Sequence, residues 1–164
     1  MPTDASIAIP APTTRTLARL LLSGAAATVA FDLFGQGISP ALGYASLAPV
    51  PLAQQTLQTV FGAGTPPEAQ MLHFFTGLVA YPFGWIYIAR PLAARIAPGL
   101  GWFLASLAYG VVLWVFAIGF MASIVNPNPF FLGFTGITWI ALVGHVLFAV
   151  VAAWVLRGLE KGAV

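Results

Sequence analysis

Three side chains stand out because of where they sit. Asp32, His73 and His145 are the strongly ionisable groups well inside long apolar stretches of the chain. In such a setting ionisable residues are costly and mark function by default. A carboxylate and an imidazole at mid-depth suit a proton relay, titrating as a coupled unit. Two imidazoles suit axial ligation of a b-type haem, which needs both near one level. Gln36, Thr76, Tyr81 and Trp114 bring further hydrogen-bonding groups to the same neighbourhood, and Thr28 lies just below. The competing reading is structural: a His–Asp hydrogen bond that holds two helices in register contributes on the order of 1 kcal/mol.

Other chemistries find no support. The chain has no cysteine, so thiolate metal sites, disulfides and a cysteine nucleophile are excluded. There is no H-E-x-x-H, no G-x-S-x-G and no phosphate-binding glycine loop. A metal held by Asp32, His73 and His145 lacks the short ligand spacing typical of such sites. No catalytic residues are assigned, and an enzyme is not the expectation.

The elements that must carry these residues follow from composition. Of 164 residues, 60% are hydrophobic and 6% charged, against about 25% charged in a soluble domain. Six scattered cations do not make a nucleic-acid surface. A bilayer core of about 30 Å needs roughly 20 apolar residues of helix. Four segments meet that: about 20–38, 71–89, 100–125 and 131–156. Their apolar runs are continuous, which excludes the alternation of a β-barrel. The expected fold is an all-α, four-helix transmembrane bundle over residues 15–164. A disordered tail is expected at 1–14, with the first span retained and not cleaved as a signal peptide.

The cations order the topology. Arg15 and Arg19 precede the first span, Arg90 and Arg95 lie between the second and third, and Arg157 and Lys161 end the fourth. The loops 39–70 and 126–130 hold no Lys or Arg. The positive-inside rule then places both termini in the cytoplasm. Trp85, Tyr87, Trp102 and Trp154 are expected interfacial anchors. In the first outer loop, Leu52, Leu57, Val60 and Phe61 against Gln54, Gln55 and Gln58 predict a short interfacial helix.

Each span has a face of small and polar residues at i, i+3, i+4 spacing, suited to close helix packing. Span one offers Gly24, Thr28, Asp32, Gly35 and Gln36; span two offers His73, Thr76, Gly77 and Tyr81. Span three offers Ser106, Gly110 and Trp114; span four offers Thr138, Ala141, His145 and Ala149. Counting from the arginines at about 1.5 Å per residue sets depth. Asp32 and His145 come out together near the middle, at about 20 and 18 Å. Gln36 and His73 come out higher, near 26 Å. The expectation is a polar pocket open to the outer face, with an Asp32–His145 pair at its floor and Gln36–His73 as a gate. The offset between the two histidines, roughly 7 Å by helical rise, weighs against haem.

The Gly24-Ala25-Ala26-Ala27-Thr28 run followed by Asp32, the His73-x3-Gly77-x3-Tyr81 pattern, Tyr109-Gly110 followed by Trp114, and His145 resemble the small uncharacterised four-span inner-membrane proteins of bacteria. The resemblance covers about residues 20–157. It implies a four-helix membrane fold without assigned chemistry. The expected role is proton or small-solute handling in a bacterial inner membrane. The alternative is a non-catalytic accessory subunit of a larger membrane complex. Lipid is the expected surrounding partner, and a homo-oligomer is open.

Overall fold

The computed structural model describes residues 9–162. The expected tail at 1–14 falls largely outside the described residues. Helix begins at Thr14, with the Thr13 hydroxyl accepting from the Thr16 N–H. The described residues are all-helical, 82% helix with no strand. Four helices are long and apolar enough to cross a membrane: α1 (Thr14–Ala41), α3 (Pro66–Ile96), α4 (Trp102–Val125) and α5 (Gly136–Lys161). Between the first two lies the shorter α2 (Pro49–Phe61). It ends at Gly62, whose φ of 77° only glycine adopts freely.

The prolines shape the long helices in a regular way. Wide turns, closing i→i+5, occupy Leu33–Ile38, Thr76–Ala80, Trp85–Ala89 and Val115–Val125. The first three end two residues before a proline within the helix, Pro40, Pro82 and Pro91, whereas the last ends where Asn126 turns extended ahead of Pro127. A proline ring collides with the carbonyl four residues back and donates no hydrogen bond. Widening the preceding turn relieves the collision and keeps the other amides bonded, as a span in lipid requires.

The fourth span starts later than the expected 131. Phe131, Leu132, Gly133 and Phe134 have φ of 47°, 52°, 68° and 53°. This left-handed turn is unfavourable for non-glycine residues and needs external hold. The Ser123 hydroxyl accepts from the Phe131 N–H (2.8 Å), and the Thr138 hydroxyl donates to the Phe131 carbonyl (2.6 Å). The Phe131 ring lies over Gly119 and against Trp114.

Helix α5 is the central post, packed against α1 on one side and α4 on the other, while α1 also packs against the middle of α3. Small residues permit this. A Cβ on Gly110 would meet the backbone of His145 and Val146, and one on Gly24 would meet the Gly77 and Leu78 carbonyls. Leu78 O is the carbonyl that Pro82 cannot reach as a donor, so the missing helix bond and the bare glycine face each other. Ala141, Ala149, Ala152 and Ala153 of α5 are all buried. By contrast α3 and α4 pack mainly near the turn that joins them. There Trp85 rests against Tyr109, and the Tyr109 hydroxyl donates to the Tyr81 carbonyl (2.7 Å) beside Gly84. Trp85 is thus core (3% exposed) and not an interfacial anchor, whereas Trp154 is 64% exposed.

Candidate functional site

Toward the end away from the arginines, α3 and α4 part. A cavity of about 500 Å³ lies in the gap, walled by α1, α3, α4 and α5 and covered by α2. Its size is that of a small-molecule site. Leu52 and Leu57 of α2 face it, Met121 and Ile118 line it from α4, and Ile137 and Phe148 from α5. Phe75 of α3 and Phe116 of α4 also line it while remaining 58% and 46% exposed. The cavity is therefore reached from outside the bundle between these two helices.

Helix α2 is fastened by polar groups. Gln55 and Asn128 exchange amide hydrogen bonds, with Asn128 Nδ2 to Gln55 Oε1 at 2.8 Å. The fully buried Asn126 donates to the Thr56 hydroxyl (3.0 Å). Asn128 also donates to the Ala122 carbonyl. The Asn-Pro-Asn-Pro segment at 126–129 is the clamp for the cover.

The ionisable residues divide differently from the expected pairing. His73 Nε2 lies 3.0 and 3.1 Å from the two carboxylate oxygens of Asp32, and Gln36 Nε2 donates to Asp32 Oδ1 (2.8 Å). His145 does not join them. Its Nδ1 donates to the Ala141 carbonyl one turn back (2.7 Å). The physical reason is the position of neighbours around α1. Residues 31 and 32 point about 100° apart on a helix, and Phe31 is the one turned to α5, its ring 5.2 Å from that of His145. Asp32 is turned to α3, where the long imidazole side chain closes the gap in depth.

Of the residues expected to form one pocket, His73, Thr76, Tyr81 and His145 line the cavity, as does Thr28. Asp32 and Gln36 stand behind His73, with Gln36 on the exposed side. Trp114 is elsewhere: its indole N–H donates to the Thr138 carbonyl (2.9 Å), and its ring stacks with Trp139 and lies tilted against Phe131. The lining is mostly apolar, not the polar pocket expected, and the apolar side that the sequence marks in α2, Leu52, Leu57, Val60 and Phe61, borders it throughout. As for haem, His73 already gives its Nε2 to Asp32, and Phe31 packs against both imidazoles. The nitrogen that usually binds iron is committed elsewhere.

Comparison of the chain with protein-family models, with curated proteins and with solved structures found no match.

Proposed function

We infer that this chain is an integral membrane protein that takes a small apolar or amphiphilic solute from the bilayer into the cavity between α3 and α4. The observation that carries the reading is the cavity itself: about 500 Å³, apolar, and flanked by the exposed Phe75 and Phe116 where lipid would lie. His73, backed by Asp32, lines it as the group that meets the polar end of such a solute. This keeps solute handling and relocates the ionisable pair, since His145 is tied to its own helix.

The same reading sets the chain in a bacterial inner membrane with both termini in the cytoplasm. The six cations then gather on the inner side, and α2 lies at the outer interface, where Val60 and Phe61 border the cavity and stay largely exposed. A linear relay across the bilayer is less well supported, because below Thr28 the buried hydroxyls of Ser23 and Ser106 donate to their own helices.

The test is photolabelling in nanodiscs with a diazirine-bearing alkane. Adducts are expected on cavity residues such as Leu57, Met121 and Phe148. Ala80→Trp, which fills the cavity from α3, should remove those adducts and leave labelling of outward residues such as Val29. Label confined to outward faces in the unmodified chain overturns the reading.

A further inference from the structure

The cavity is unevenly supplied with hydrogen-bonding groups. Thr28, Thr56 and Thr76 each donate their hydroxyl hydrogen to a carbonyl of their own helix: Gly24, Leu52 and Leu72. Thr28 and Thr76 face the cavity as acceptors alone, while the Thr56 hydroxyl already accepts from Asn126. His145 donates through Nδ1, so in the neutral ring Nε2 carries a lone pair, and no described residue donates to it. His73 gives Nε2–H to the Asp32 carboxylate, which leaves Nδ1 as the lone-pair atom, again without a donor among the described residues. The Tyr81 hydroxyl is the one lining side-chain donor with no acceptor among the described residues. Among the described residues no Lys or Arg lines the cavity, and no carboxylate does either.

Each absence selects. Without a cation the cavity does not match a phosphate headgroup, and without a carboxylate in the lining it does not match an ammonium. Two imidazole lone pairs in an apolar surround call for donors, and lipid hydrocarbon has none. We propose that the occupant is a neutral lipid whose polar end carries a hydroxyl, donated to His145 Nε2, with Asp32 serving as a positioning residue that holds the His73 tautomer. The ring surfaces of Phe31, Tyr81 and Phe148 around His145 accept either a phenolic head or an alkanol. This rests on the cavity reading above and narrows it to one class of ligand.

The experiment uses the full chain in phosphatidylcholine nanodiscs, loaded at equal mole fraction with one of four probes, and reads bound probe per chain by native mass spectrometry. The probes form two pairs that differ in the O–H group: decyl hydroquinone with decyl benzoquinone, and tetradecanol with tetradecyl methyl ether. At least one hydroxyl probe is expected to exceed its counterpart about tenfold, the scale of one unsatisfied buried hydrogen bond. The pair that shows the preference tells phenol from alkanol. His145→Phe should erase the preference while the methyl ether still binds. Equal occupancy within both pairs overturns the hydroxyl assignment but leaves the cavity reading standing. A preference that survives His145→Phe overturns the role of His145. If that variant does not fold, the ratios in the unmodified chain decide alone. Absence of any saturable probe overturns the cavity reading, and this assignment with it.

Discussion

At the scale of single residues, the Asp32–His73 pair shows how a helix neighbour decides what a titratable group does. Asp32 is held by two donors, the imidazole and the Gln36 amide. Hydrogen bonds between helices in a membrane are worth about 1 kcal/mol, so Asp32→Asn should lower stability by roughly that amount and not unfold the chain. Thermal unfolding in detergent, with His73→Ala and the double variant completing a cycle, measures the coupling. A coupling near zero would mean that the pair is not formed in the membrane. The backbone offers a cleaner case. Gly133 has φ of 68°, and a Cβ there would meet only the Thr135 methyl at 3.9 Å, an ordinary contact. Gly133→Ala therefore meets no clash, and its cost is conformational, about 1 kcal/mol, measurable by the same unfolding experiment. The composition of 130–134, rich in Phe, points to apolar helix; the left-handed turn there is held by the Ser123 and Thr138 hydroxyls, eight and seven residues from Phe131 in the chain.

At the scale of elements, two close approaches carry the bundle. The α4–α5 crossing at Gly110 brings backbone against backbone, so Gly110→Val forces the helices apart. Overpacking of this sort costs on the order of 1–3 kcal/mol, and because backbone cannot step aside the upper end is expected, read as loss of folded protein on size-exclusion chromatography. The second element is the cover. Gln55 and Asn128 face each other with complementary amides. Gln55→Ala and Asn128→Ala should each loosen α2, and the double variant should add little to either single one. Hydrogen exchange of α2 amides would report this as faster exchange in α2 alone, with α5 unchanged. The helices themselves were readable from continuous apolar runs, and the prolines that follow three of the wide turns, Pro40, Pro82 and Pro91, stand in plain view. Their effect was not readable: a proline within an apolar run signals a kink, but whether the turn before it widens depends on what receives the freed carbonyl, here Gly24 of another helix.

At the scale of the whole molecule, the arrangement is an asymmetric bundle. Three helix pairs are tightly packed, and the fourth pair, α3 with α4, is joined at one end and parted at the other. The parting makes the cavity. The cations at the closed end give a topology prediction: reporter fusions after residue 164 and at the N-terminus should both be read as cytoplasmic, and a reporter inserted at Gly62 as external. A cytoplasmic reading at Gly62 would reverse the orientation taken in the proposed function.

The amino-acid order determined the four long helices and the small-residue faces, because hydropathy and 3.6-residue periodicity are local properties that lipid enforces on each helix separately. It also marked Asp32, His73 and His145 as the residues to watch. Which of them meet was decided only by the tertiary structure. Depth along a helix can be counted from its ends, but the angle around it has meaning only once the neighbours are placed. Phe31 and Asp32, adjacent in the chain, face different helices, and that one turn separates the Asp32–His73 pair from the lone imidazole of His145.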